Sequence, residues 1–286
     1  MGMADLVPGV SGGTIALITG IYERLINAIA AINLNRIKMA FSGRIAQAWK
    51  AVDGWFLLAV FAGILTAIFA FASLFKYLLE WYPVLTWSFF MGLIMASVGL
   101  LLLKNRSSSL FNWMLLILGT LLGYLLSTQS LGLLPTGTLG MLLAGMIAIS
   151  AMILPGISGS LILILLGKYT LLITAVESRD WSTLMLFATG CIVGLLLFSR
   201  LLKWLLAKHH DATLYVLIGL MAGTLFKVWP WQINGINVMP HAHPNPQLLW
   251  SILVLCVAFI LVGMLFYIDR RQQPSTLSVH KKSPSQ

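Results

Sequence analysis

The chain has 286 residues, of which 59% are hydrophobic and only 9% charged, against about 25% charged in an ordinary soluble domain, so a water-soluble fold is excluded. The net charge of +10 is carried by basic residues dispersed over the loops rather than gathered on one surface, which excludes nucleic acid as a partner. Long continuous apolar runs, rather than alternating segments of about ten residues, exclude a β-barrel. What remains is an all-α polytopic membrane protein.

In chain order, residues 1–31 are apolar but broken by Pro8-Gly9, which predicts a re-entrant helical hairpin that enters and leaves on one side. Residues 33–53 interleave Ile37, Phe41, Ile45 and Trp49 with Arg36, Lys38, Arg44 and Lys50. This pattern predicts an amphipathic segment lying on the cytoplasmic leaflet and drawn to anionic lipids. Crossings are expected at 55–77, 84–103 and 110–127, which complete a first unit over 1–134. A second hairpin, 138–176, is interrupted by Pro155-Gly156, and crossings at 182–202, 213–229 and 248–268 complete a second unit over 135–270. Residues 271–286 are polar and basic and are expected to form a disordered cytoplasmic tail.

The two units repeat. Pro8-Gly9-Val10-Ser11-Gly12-Gly13 returns as Pro155-Gly156-Ile157-Ser158-Gly159-Ser160, and Gly20 and Tyr22 return as Gly167 and Tyr169, all displaced by 147 positions. Gly92-Leu93-Ile94-Met95-Ala96-Ser97 returns as Gly219-Leu220-Met221-Ala222-Gly223-Thr224, displaced by 127. The difference of 20 residues corresponds to the amphipathic segment. Because each unit holds a hairpin and three crossings, an odd number, the second is expected to be inverted relative to the first. The loop charges agree, since Arg36, Lys38, Arg44, Lys50, Lys104, Arg106, Arg200, Lys203, Lys208, Arg270 and Arg271 then share the cytoplasmic side with the C-terminus. Only seven residues precede Pro8, so either the first hairpin lacks its entering arm or the natural start lies upstream of Met1.

Irregular backbone inside a membrane is tolerated where protein or a polar cavity satisfies its freed groups. Turns rich in Gly and Ser offer convergent N–H donors that suit a phosphate. The phosphate-binding set read from the two turns is Gly9, Ser11, Gly12, Gly13 and Thr14 with Gly156, Ser158, Gly159 and Ser160, completed by Arg24 and Lys168, cations beside Tyr22 and Tyr169 that are expected to pair with the phosphate as it leaves for either side. Asp5, Glu23, Tyr22 and Tyr169 are candidates for coupling or gating, because intramembrane ionisable groups are functional by default. The bland alternative is that the small residues only permit close helix packing. Gly9, Ser11 and Gly13 also match a hydrolase elbow, but that needs a strand–turn–helix with a His and an acid, so no catalytic residue is assigned. No cofactor or metal site is expected: Cys191 and Cys256 lack ligand spacing, and His241 and His243 sit in a Pro-containing surface loop.

The stretch from Met3 to Ala16, Thr19-Gly20-Ile21-Tyr22-Glu23 and the second Pro-Gly motif with Gly167-Lys168-Tyr169 together resemble the polyprenyl-phosphate transporter family. The resemblance implies a flippase that returns undecaprenyl phosphate, a C55 lipid, from the outer to the cytoplasmic leaflet of the bacterial inner membrane. That return lets the carrier be reused for peptidoglycan and other envelope polymers. It also implies further apolar sequence ahead of Met3. Two alternatives stay open. One is an undecaprenyl-pyrophosphate-type membrane phosphatase, against which Gly159 stands where a catalytic Arg would be and no acidic pair adjoins the motif. The other is a small-anion transporter. Energy coupling and oligomeric state, monomer or homodimer, are open as well.

Overall fold

The computed structural model describes residues 1–2, 11–128, 134–135, 137–233 and 235–272. Asp5, Gly9, the Pro8 break and the tail beyond Gln272 lie outside the described residues. The first half runs through α1 (Gly12–Ile18), α2 (Tyr22–Ala30), α3 (Leu34–Phe41), α4 (Ile45–Ala51), α5 (Gly54–Trp81), α6 (Pro83–Lys104) and α7 (Leu110–Thr128). The second runs through α8 (Gly137–Ile153), α9 (Gly159–Leu165), α10 (Tyr169–Glu177), α11 (Trp181–Lys208), α12 (His210–Thr224) and α13 (Leu248–Gln272). A small antiparallel pair, β1 (Gln232–Ile233) and β2 (Ile236–Asn237), sits between the last two helices.

Local sequence explains where the elements begin. Asn33 caps α3 by accepting from Arg36 N at 2.9 Å, Asp180 caps α11 by accepting from Thr183 N at 3.2 Å, and Pro83 opens α6 where its missing N–H costs nothing. The duplication read from the motifs is present in the helix bounds. α9 starts and ends 147 residues after α1, α10 does the same relative to α2, and α11 starts and ends 127 residues after α5. Backbone angles repeat too: Gly20 and Gly167 hold φ 72 and 66, and the junctions at Tyr82 and His209 share φ −130, ψ 49 and φ −134, ψ 54. Glycine is needed at 20 and 167 because a Cβ is disfavoured in the left-handed region.

Among the described residues five helices are long and apolar enough to cross a bilayer: α5, α6, α7, α11 and α13. The sixth stretch, 213–229, lies partly on α12, which stops at Thr224 after 15 residues, about 22 Å of helix against a hydrocarbon core of about 30 Å. Beyond it the chain turns into the β pair, whose corner is held by Trp229 Nε1 donating to Val238 O at 2.8 Å. The second motif region is broken twice, once between α8 and α9 at Pro155-Gly156 and again between α9 and α10, whose axes meet at 109°.

Helix α7 packs on α12, α8 on α11 and α6 on α13. Two of these three pairings join one half of the chain to the other. The contacts are close because small residues face each other: a Cβ on Gly223 would lie 2.2 Å from Thr120 O, and one on Gly190 would lie 2.1 Å from Leu142 O. In a bilayer such seams hold helices through dispersion contacts rather than the hydrophobic effect. Helix α6 is the most enclosed of these crossings, burying Val84, Phe90, Leu93, Ile94, Ala96 and Leu101, whereas α7 and α11 are mostly exposed to the surroundings. Repeat-related α12 is likewise buried along Leu217, Ile218, Leu220 and Met221. These two helices form the centre against which both motifs are placed.

Candidate functional site

The first motif leaves Ser11 extended (φ −119, ψ 138), so its side chain caps α1 by accepting from Gly13 N at 3.1 Å. Its hydroxyl also points at the carbonyls of Met152 and Leu154, each at 3.3 Å, which the break after α8 has released from helical pairing. Tyr22 Oη donates to Ile153 O at 3.2 Å, and Gly156 N, on the far side of the same break, donates to Thr14 Oγ1 at 2.9 Å. Ser11, Thr14 and Tyr22 are each only 1% exposed. The first motif thus supplies the partners that the broken backbone of the second requires. Gly13 and Gly156 make the approach feasible: a Cβ on Gly13 would lie 2.7 Å from Ile153 O, and one on Gly156 2.9 Å from Met221 Cα.

The repeat-related groups of the second motif border a cavity instead. Ser158 and Ser160 share a hydrogen bond of 2.9 Å between their hydroxyls and open onto a cavity of about 370 Å³. Its walls are apolar, built by Ala148, Ile149 and Met152 of α8, Leu163 of α9, Leu172 of α10 and Phe187 of α11. Tyr169, the counterpart of Tyr22, also lines it and is 39% exposed. Gly159 sits on its floor, 3.3 Å by its Cβ position from Ala148 O. A pair of hydroxyls at the end of an apolar pocket suits a ligand with one polar end and a long apolar remainder.

The two motifs are therefore brought together at the break between α8 and α9, but with unequal roles. Gly12, Gly13, Ser11 and Thr14 are enclosed, and Ser158, Gly159 and Ser160 border open space. The described charged candidates, Arg24, Glu23 and Lys168, are each held by groups outside the two motifs. Arg24 makes a two-pronged pair with Asp53, Nε to Oδ2 at 2.6 Å and Nη2 to Oδ1 at 3.1 Å, and stacks over the Phe56 ring. The hydrogen bonds from Arg24 hold the Asp53 carboxyl below the usual carboxylate range. Glu23 meets His210 Nε2 at 2.9 Å, and that hydrogen bond, with Asp211 on the other ring nitrogen at 3.3 Å, raises the His210 pKa above its ordinary value. Lys168 is 7% exposed and its Nζ donates to Pro135 O at 2.8 Å.

Met152, Phe187 and Cys191 were not legible as site residues. They belong to α8 and α11, lie in ordinary apolar runs, and meet only because those helices pack side by side.

A family model described as undecaprenyl phosphate translocase-like matches residues 1–245. The chain belongs to the undecaprenyl phosphate translocase-like family. Among curated relatives of this translocase-like chain, one named polyprenyl-phosphate transporter from Vibrio cholerae serotype O1 is 46% identical, over 94% of each sequence. Another of the same name from Staphylococcus aureus is 31% identical, over 91% of this chain and 90% of its own. Both are named as transporters, and the translocase-like chain is accordingly a multi-pass membrane transporter rather than an enzyme. No solved structure matches it.

Proposed function

We propose that this protein carries undecaprenyl phosphate from the outer to the cytoplasmic leaflet of a bacterial inner membrane, so that the carrier is reused for peptidoglycan and related envelope polymers. The observation that carries the reading is the cavity beside Ser158 and Ser160, where two hydroxyls end an otherwise apolar pocket among membrane helices. It fits a phosphate head with a prenyl tail left toward lipid, and the matched family and relatives give the substrate class.

The unequal state of the two motifs supports alternating access between inverted halves. Ser11 and Tyr22 are closed against the opposite motif, whereas Ser158 and Tyr169 are open. In the reading proposed, rocking of one half against the other exchanges these states and exposes the phosphate site to one leaflet at a time. Lys168, Arg24, Asp5 and Glu23 are assigned to entry, exit or coupling rather than to the hydroxyl site itself. Helices α3 and α4 rest on the cytoplasmic leaflet. No residue of α3 is buried, Leu34 and Phe41 are 74% and 89% exposed, and Arg36, Lys38, Arg44 and Lys50 supply charge for anionic lipid.

The test is purified protein in liposomes carrying undecaprenyl phosphate in a known leaflet. Time-dependent loss of the lipid from that leaflet, reduced by Ser158→Ala with Ser160→Ala, is the expected result. Leaflet exchange no faster than in protein-free liposomes would overturn the function, and release of inorganic phosphate from the pyrophosphorylated lipid would point to hydrolysis instead.

A further inference from the structure

The cavity at the second motif has a chemical property that constrains its ligand. Each described residue that lines it is neutral, and its polar side-chain groups are the hydroxyls of Ser158, Ser160 and Tyr169 with the Cys191 thiol. None of the charged groups described on or beside the four surrounding helices is in that lining. Lys168 Nζ is bonded to Pro135 O, and Asp180 is held by Thr183 N and Oγ1 at the start of α11. Glu177 and Arg179 flank the turn between α10 and α11, and Arg200, which donates to Ile32 O, lies toward the far end of α11 with Lys203 and Lys208. Along α11, Asp180 precedes Phe187 by seven residues and Arg200 follows Cys191 by nine, about 10 and 14 Å at the helical rise. The paired cation Arg24 is engaged by Asp53.

A phosphate monoester loses its second proton near a pKa of about 6. Water or a cation stabilises the resulting second charge, and among the described residues the lining of this cavity offers no cation and mostly apolar wall. A group brought into such surroundings keeps its proton rather than its charge. The singly ionised form also complements the site better. Its P–O–H can donate to a serine oxygen while its other oxygens accept from hydroxyl hydrogens, and Ser158 and Ser160 can serve in both senses.

Resting on the proposed reading of this cavity as the lipid-phosphate site, we infer that it selects the singly ionised, proton-carrying form of the lipid phosphate. The substrate then brings its own proton. That proton is bound from the water on the loading side, stays on the phosphate oxygen in the cavity, and is released to water on the delivery side, so one proton and a net single negative charge move per lipid.

The wild-type full chain in neutral-lipid nanodiscs provides the test, with two water-soluble probes: farnesyl phosphate, and its methyl phosphodiester, which has one fixed charge and no second ionisation. Affinity for farnesyl phosphate should fall by about 50-fold between about pH 6 and about pH 8, following its singly ionised fraction, while that for the diester stays within about twofold. Monoester affinity that is flat or rises with pH would overturn the inference and leave the site reading standing. A parallel fall for both probes would also overturn it, by assigning the titration to the protein. Failure of both probes to bind, or equal binding by Ser158→Ala with Ser160→Ala, would reject the site and the inference together. Leu172→Lys, which adds a cation to the wall, should flatten the pH dependence of the monoester.

Discussion

Replacing Thr14 with valine isolates one bond between the two motifs. Thr14 is 1% exposed and its Oγ1 accepts from Gly156 N at 2.9 Å, in a contact fully enclosed by protein. Valine keeps the shape and removes the acceptor, so little cavity term arises and the cost is that of a buried N–H without a partner. Such a group costs about 1–3 kcal/mol in soluble proteins. Between membrane helices, single hydrogen bonds measure lower, about 0.6 on average and up to about 1.7 kcal/mol. Gly156 cannot turn to a new partner, because its backbone holds φ 86 against Met221 and Thr224. We therefore place the loss at about 1–2 kcal/mol, a fall in midpoint of about 2–8 °C. Thermal unfolding of wild type, Thr14→Val and Thr14→Ser in the same detergent measures it, and Thr14→Ser, which retains the hydroxyl, should recover most of the loss. A Thr14→Val midpoint equal to wild type would show that the bond does not hold the break together.

Other consequences separate structure from binding. Ser158→Ala with Ser160→Ala should weaken binding of a prenyl phosphate by about 10- to 100-fold, as expected for losing hydrogen bonds to a charged ligand, with the unfolding midpoint unchanged. Ser11→Ala should instead lower the midpoint, since this hydroxyl caps α1 and meets the carbonyls of Met152 and Leu154; a binding defect with normal stability would contradict its structural role. Gly223→Leu places a side chain where a Cβ is already 2.2 Å from Thr120 O, so the yield of monodisperse protein in size-exclusion chromatography should collapse. For His210 the folded pKa is raised by Glu23, so the tie between α2 and α12 is fully present below the unfolded value of about 6.5 and is lost as pH rises through the folded value. Wild type should lose more stability than His210→Gln over that interval, and identical pH profiles would remove the Glu23–His210 pair from consideration.

The break motifs illustrate how far the sequence could be read. Pro155-Gly156 announces an interruption whatever surrounds it, because proline lacks the N–H and glycine takes φ 86. The displacement of 147 positions makes the first copy its equal in pattern, and the helix bounds repeat at that interval. Pattern could not assign the partners. Ser11 and Ser158 are the same residue in the same motif, yet one meets carbonyls 141 and 143 residues away and the other meets Ser160 beside a cavity. Lys168 and Arg24, placed beside the motif tyrosines, are likewise held by Pro135 and Asp53, contacts that depend on how helices are arranged.

The chain by itself determined that it is a helical membrane protein, that its path is interrupted at Pro155-Gly156, and that one motif occurs in it twice. These follow from local chemistry: apolar length, proline and glycine dihedrals, and a repeated order of residues. Only the tertiary structure decided which copy of the motif is enclosed and which is open, because a hydroxyl's partner is set by whatever backbone another helix brings within hydrogen-bond range. The close seams at Gly190 and Gly223 fix those helices, and with them the cavity that Ser158 and Ser160 face.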